Sequence, residues 1–366
     1  MKGKEWAVRN LPPLLVALIC VALVVVIRSF QLPKTGERVT VGCVLLGKKD
    51  DRGWNESHYT GLSNACRAHD CGFVVREGVA ESEAAVSAAV RELVGKGANV
   101  IFLTSFGYGA CMDEIARQYP RVAFFGISGE GAAKNATTYF GRLYQTRYLA
   151  GIVAGAESKT GVLGYVAAMP IPETHRDINA YALGMRVANP RARLIVHFTG
   201  SWDDEAAERK SVIQLQQKGA DVITYHEDKP YAVEEAEEWG LMSTGYDAVH
   251  EKYSDRFLTA AVYDWNVLYE KVLGDYLSGR TNFSNSYWLG LEEGAVALHP
   301  LSPLVSEKTA LLVAQEKKRI ENDSDVFSGV IYDNRGVLRC DNGERISDHE
   351  LFTGMDWFAV GVVIYE

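Results

Sequence analysis

The chain has no long run of lysine or arginine, and its net charge is −9, with 38 basic against 47 acidic side chains. Phosphate binding needs a basic surface, so this balance argues against a nucleic-acid partner and disfavours phosphorylated ligands. The six cysteines, Cys20, Cys43, Cys66, Cys71, Cys111 and Cys340, form no C-x-x-C pair, and no histidine cluster accompanies them. That speaks against a zinc site. Cys66 and Cys71 are spaced so that a bridge across a helix-to-strand turn is one reading; buried free thiols are the other. There is no G-x-S-x-G elbow, no Walker loop and no H-E-x-x-H, and the eight histidines are scattered. No catalytic set emerges, so the chain does not read as an enzyme, and neither a metal nor a cofactor is expected.

What is present is an ordinary globular composition, 47% hydrophobic and 23% charged, over 366 residues. That is too long for one core and enough for two lobes. At the N-terminus Lys2, Lys4 and Arg9 precede the apolar run Leu14–Ile27, and Arg28 closes it. This is an export or membrane-insertion signal whose positive flank stays in the cytoplasm. No small-x-small cleavage site follows. Cys20 in ALIC resembles a lipoprotein box, but bulky Ile19 stands where a small residue is needed. The expectation is an uncleaved signal anchor rather than a lipoprotein. The remainder would then face the periplasm or cell exterior, tethered by Gln31–Arg38.

From Val39 onward, strand-like and helix-like stretches alternate. Strand candidates Val39–Leu46, Gly72–Glu77, Asn99–Thr104 and Arg121–Ile127 are separated by helical stretches at Asn55–His69, Ser82–Lys96 and Tyr108–Tyr119. A second set has strands at Gly161–Ala167, Ala192–Phe198, Asp221–Tyr225 and Leu241–Thr244. Helical spacing lies between them, and a helix at Tyr144–Ala156 joins the sets. Alternation of this kind predicts parallel sheets flanked by helices. Further on, Phe257–Val262 leads into a helix at Asp264–Leu277. Tyr287–Leu298 reads as a strand pair, Val305–Asn322 as an amphipathic helix, Phe327–Val337 as a hairpin, and Arg345 onward as an irregular tail.

In open α/β sheets ligands collect at the carboxyl ends of the strands, so the residues after each strand are the candidates. The first such turn, GKKDDRGWNES at 47–57, sets Trp54 beside the amide of Asn55. A flat apolar plate next to a hydrogen-bonding group suits a small aromatic ligand; packing under the loop and helix capping are the plain alternative. Phe106 and Tyr108 follow the third strand. Trp202 occupies the corresponding loop of the second lobe, so Trp54 and Trp202 could close on the two faces of a planar ring. Tyr246 and Asp247, then Asp264 and Trp265, stand at later strand ends, with Asp264 equally suited to cap the helix it precedes. Glu173 reads as a helix N-terminal charge rather than a ligand contact.

DDRGWN at 50–55, TSFGYG at 104–109, GRLYQTRYLAG at 141–151, PIPE at 170–173, GSWDD at 200–204 and YWLGLEEG at 287–294 occur in this order. In these motifs the chain resembles the basic membrane protein family, the purine-nucleoside-receptor-like substrate-binding proteins of ABC importers. The resemblance runs from about Val39 to Ser302. It implies a type I periplasmic-binding fold: two similar lobes, each with a mainly parallel sheet flanked by helices, joined by three crossovers, with ligand in the hinge cleft. The corresponding division is an anchor and tether at 1–37, lobe 1 at 38–145 plus about 263–298, and lobe 2 at 146–262 plus about 299–366.

The resemblance also implies a purine ligand, stacking by Trp54 and Trp202, a ligand-facing Asp247, and ABC permease subunits as partners of a monomeric soluble part. Nucleoside binders of the family carry a lysine after the crossover strand, reaching toward the ribose. Here Tyr263–Asp264–Trp265 stands at that point without one, so a free base such as adenine is the expectation and a nucleoside the alternative. A membrane-anchored sensor built on the same fold is the other functional class.

Overall fold

The computed structural model describes residues 38–128, 131, 133–249, 252–322 and 324–365. The expected anchor at Leu14–Ile27, Cys20 and nearly all of the tether lie outside them. Among the described residues no helix is long and apolar enough to cross a membrane. The five described cysteines are free thiols, Cys66 and Cys71 included.

Strands of a parallel sheet are buried on both faces, so they read as short continuous apolar runs. Those runs become β1 (Thr40–Val44), β3 (Val100–Leu103) and β4 (Ala123–Ile127), with β2 (Gly72–Arg76) a half-buried edge strand. A further strand, β5 (Ala136–Gly141), was not expected: its ATTYFG is rich in threonine and lacks an aliphatic run, yet every residue is buried. The first sheet has the order β11-β5-β4-β3-β1-β2, β11 being Tyr287–Leu289, and every pairing in it is parallel. Helices α1 (Trp54–Ala68), α2 (Glu83–Gly95) and α3 (Gly109–Gln118) connect its strands. In α2 the Ser82 hydroxyl accepts from the Ala85 amide, and Gly97 at φ +92° ends the segment in a conformation that glycine adopts without a Cβ penalty.

The chain then crosses into α4 (Tyr144–Glu157) and the second sheet. Its order is β12-β10-β9-β8-β6-β7-β15, formed by β6 (Val162–Ala167), β7 (Arg193–Phe198), β8 (Val222–His226), β9 (Met242–Asp247), β10 (Phe257–Tyr263), β12 (Val296–Leu298) and β15 (Val362–Tyr365). Helices α5 (Pro172–Ala188), α6 (Glu205–Gln217) and α7 (Tyr231–Glu238) link its strands, α8 (Trp265–Leu277) packs on α1, and α9 (Glu307–Glu321) packs on α4. All pairings are parallel except β10 with β12.

Two expectations change here. Tyr287–Leu298 is not a strand pair: β11 joins the first sheet and β12 the second, because the turn between them crosses the hinge, where Gln145 Oε1 accepts from Leu291 N at 2.9 Å. The tail is not irregular throughout, since β15 adds a parallel edge strand beside β7. A hairpin is present as β13 (Ile331–Tyr332) and β14 (Leu338–Cys340), its second strand lying just past the expected Phe327–Val337.

The chain passes between the sheets three times, and the passages lie side by side. Arg142 N donates to Leu289 O at 2.7 Å, and Asp264 N to Ala295 O at 2.9 Å. Helices α4 and α5 run in unusually close contact beneath the second sheet's ligand-facing end. A Cβ on Gly184 would stand 1.9 Å from the Tyr148 carbonyl oxygen, and one on Gly151 2.2 Å from that of Tyr181. Only glycine permits this approach, which locks the C-terminal half of α5 against α4.

Candidate functional site

The carboxyl ends of both sheets face a cleft whose empty space, about 410 Å³, includes the solvent at its open side. Lobe 1 contributes Leu46, Trp54, Ser105, Phe106, Ile127 and Phe140; lobe 2 contributes Glu173, Trp202, Asp228 and Tyr246. None of these ten is a lysine, arginine or histidine. The walls are therefore aromatic on both sides, with two carboxyl groups on the lobe 2 side.

Of the residues expected from sequence, Trp54, Phe106, Trp202 and Tyr246 come together in this lining. Trp54 is nearly buried, and its indole nitrogen donates to Thr104 O at 2.8 Å, which anchors the ring to the end of β3. Its other neighbours are His58 (4.3 Å between ring centroids), Trp265 (5.5 Å) and Tyr263 (6.2 Å), all edge-on. Trp202 is half-buried on the opposite lobe, 6.1 Å from the ring of His226.

The other expected residues are not in this lining, although Asp247 lines an adjoining pocket that shares Asp228 and Tyr246. Asn55 is buried and spent on its own loop: Oδ1 accepts from Gly47 N at 2.9 Å, and Nδ2 donates to Asp51 at 2.7 Å. Tyr108, two residues after exposed Phe106, turns into the lobe 1 core and donates to Val79 O at 2.6 Å. Asp247, held at φ +62°, accepts from Ser57 Oγ and from Trp265 Nε1, each at 3.1 Å. Asp264 caps α8, accepting from Asn266 N and Val267 N. Trp265 stacks on Tyr263 (4.4 Å, 27°) in a layer behind the cleft wall, where Tyr263 also touches Phe140 (5.6 Å) and Tyr246 (6.5 Å).

Of the two carboxyl groups, Asp228 stands at a strand end where carboxylates could read a ring edge, while Glu173 was read as a helix N-terminal charge. Glu173 does sit in the first turn of α5, but the turn after β6 also aims it at the cleft. The rule that ligands gather at strand carboxyl ends points to that loop; capping chemistry alone hides it. Burial pushes the Glu173 carboxyl up to about 7, against the opposing pull of Arg176 and a hydrogen bond from Ser128. Asp228, after β8, is raised by burial first and then by Asp51, Asp203 and Asp247, with Lys229 opposing.

Beneath Glu173 lies a buried polar layer. His226 has Nε2 3.7 Å from Glu173 and Nδ1 3.6 Å from Asp177, and burial pushes it down to about 3, so it is neutral. Its ring lies 4.2 Å from that of Tyr246. Arg147 is fully buried: Nη2 donates to Tyr225 O at 2.7 Å, Nε lies 3.4 Å from Asp177, and the guanidinium sits 4.5 Å over Tyr246. These contacts hold the Tyr246 ring from behind.

The lobes touch across the cleft mouth. Trp54 N donates to Asp228 O at 3.3 Å, Ser57 meets Asp247 as above, and Arg52 lies 3.9 Å from Glu234. The structure is thus a closed arrangement, in which a ring between Trp54 and Trp202 would be enclosed by both lobes.

Comparison with known proteins agrees with this architecture. The family model for the ABC transporter substrate-binding protein PnrA-like (Bmp) family matches residues 38–328. The chain is 34% identical over 334 residues to a putative ABC transporter glucose-binding protein of Haloferax volcanii, covering 90% of this chain and 82% of that one. It is 30% identical over 329 residues to a purine-binding protein of Brucella abortus, covering 89% and 93% respectively. Among solved structures, a transcriptional activator of the comK gene from Bacillus halodurans aligns with a TM-score of 0.69 at 26% identity, over 78% of this chain and 99% of that one. An ABC transporter solute-binding protein from Aeropyrum pernix aligns at 0.68 with 21% identity, over 78% and 92%, a likeness of fold. The two-lobed α/β architecture is the type I periplasmic-binding fold. The chain belongs to the Bmp family of PnrA-like ABC transporter substrate-binding proteins.

Proposed function

We propose that this protein binds a purine base outside the cytoplasmic membrane and delivers it to ABC permease subunits. The observation that carries the reading is the cleft itself: aromatic rings from both lobes, two carboxyl groups on one side, and no cationic side chain in the lining. A flat ring rich in N–H donors matches that chemistry, whereas a phosphorylated ligand would meet Glu173 and Asp228 unpaired. Trp54 and Trp202 stack on the two faces, and the carboxyl groups read the ring edge. Tyr263 and Trp265 fill the layer behind the wall, and no lysine stands there to reach a ribose, which favours base over nucleoside. Ligand then stabilises the closed form through contacts that only the closed form makes, and the permease reads the closed surface.

The test is isothermal titration of the purified chain, unfolded and refolded to strip carried ligand, with adenine, adenosine and glucose. Tight adenine binding with weak adenosine and glucose binding is expected. Preference for adenosine replaces the base with a nucleoside, and preference for glucose overturns the purine reading. A second reading, a ligand sensor rather than an importer's receptor, draws on the solved transcriptional activator of the same fold. A deletion that abolishes uptake of the bound ligand in cells would decide for transport.

A further inference from the structure

We propose that Glu173 holds the ligand as a neutral carboxylic acid, and that its paired donor and acceptor select an adenine-type ring edge over a guanine-type edge. The inference rests on the purine reading above. An ionised carboxylate only accepts hydrogen bonds, while the protonated group donates through its O–H and accepts at its other oxygen. Adenine sets an exocyclic N–H donor beside a ring-nitrogen acceptor, the pattern that the amides of asparagine and glutamine read bidentately. A neutral Glu173 has the shape of a glutamine and offers the same pair. Guanine instead presents adjacent N–H donors on its amino edge, which suit an ionised carboxylate.

The surroundings of Glu173 favour the neutral form. Arg176, on the same helix, is turned to other work: it donates to Leu351 O at 2.6 Å and sits over the rings of Trp288 (5.2 Å) and Phe352 (5.6 Å). His226 on β8 is neutral, and at 3.7 Å it is beyond hydrogen-bond reach. Asp177, on the same helix, disfavours a second negative charge, and its own partner is Arg147 from α4. Tyr246 on β9 and Tyr263 on β10 stay protonated in this burial. Ser128, reaching from the end of β4, and the N-terminus of α5 support the charged form. Desolvation outweighs these and the opposing charge of Arg176, leaving the free carboxyl balanced near neutrality. A ring seated between Trp54 and Trp202 removes the remaining water and tips the balance further toward the acid.

Adenine binding therefore takes up a proton above about pH 7, and the affinity falls by about tenfold per pH unit there while staying level below it. The experiment is titration of the purified full chain with adenine at several pH values from about 6 to 9. Each is run in two buffers of different ionisation enthalpy, so that proton uptake is counted. Glu173→Gln is expected to bind adenine within a few-fold of the wild type at pH 6 and to lose both the pH dependence and the proton uptake. Glu173→Ala is expected to bind weakly at every pH. Adenine binding that is independent of pH and takes up no proton, or loss of binding in Glu173→Gln, overturns the proposal and leaves the purine reading standing. Absence of adenine binding at every pH overturns both.

Discussion

Replacing Gly53 with alanine tests whether lobe closure creates the binding site. Gly53 lies in the turn before α1, and a Cβ there would stand 1.9 Å from the Asp228 carbonyl oxygen and 3.1 Å from its carbonyl carbon, across the mouth of the cleft. Both obstacles are backbone, tied by Asp228 N to Trp202 O at 2.9 Å, so no side chain can swing aside. The φ of Gly53 is −152°, outside the left-handed region, so the methyl group meets its conflict in the other lobe and not in its own turn. Restoring ordinary contact of about 3.4 Å requires the lobes to part by about 1.5 Å at this point. A gap of about 0.5–1 Å already forfeits a quarter to a half of a dispersion contact, so the ring loses most of one stacking face. With a stacked face worth about 1–3 kcal/mol and the Trp54–Asp228 hydrogen bond about 1 kcal/mol, the loss is about 2 kcal/mol, or about 30-fold in Kd. Calorimetric titration measures the affinity, and small-angle X-ray scattering measures whether ligand still shrinks the molecule. The ligand-free variant should unfold at close to the wild-type temperature, because neither lobe is disturbed. Unchanged affinity together with unchanged ligand-induced compaction would refute the reasoning.

Trp202 is half-buried, so Trp202→Ala should leave thermal stability little changed while weakening purine binding by about 5- to 150-fold, the equivalent of one lost stacking face. Equal affinity in calorimetry would remove Trp202 from the site. Glu208, fully buried in α6, has its carboxyl pushed up to about 9 by burial and then by Asp203 and Asp228, with a backbone hydrogen bond at Asp204 opposing. A raised carboxyl keeps its proton in the folded chain after the unfolded chain has lost it. Its contribution is therefore complete below about pH 4.5 and falls as pH rises toward about 9, by about 3 kcal/mol at pH 7. Glu208→Gln should flatten this decline in denaturant melts run across that range, and an undiminished slope would show that the group is not protonated in the fold.

Much of the architecture was legible in the chain. The apolar runs that became β1, β3, β4 and β6 are continuous because both faces of a parallel sheet are covered, and the capping serine and terminal glycine marked α2. β5 was not legible, since ATTYFG becomes a strand through burial between β4 and β11 rather than through its own composition. The tryptophan of each lobe was visible as a strand-end residue, and the structure brings Trp54 and Trp202 to one cleft. Neighbouring candidates were not separable: Phe106 faces the cleft and Tyr108 the core because a single tight turn stands between them. Asn55 and Asp247, plausible as ligand contacts in sequence, are committed to Asp51 and Trp265 by contacts that no spacing rule foretells. Glu173 shows the same limit from the other side. As a sequence feature it is an acidic residue in a helix's first turn, a role satisfied by local geometry alone. Its place in the cleft depends on where the turn after β6 meets the other lobe, and its raised pKa on burial. Local pattern determined the elements and the loops that carry the site. The charge state and company of each side chain within it were decided only when two distant lobes were brought together, because desolvation and contact belong to the packed molecule and not to the chain.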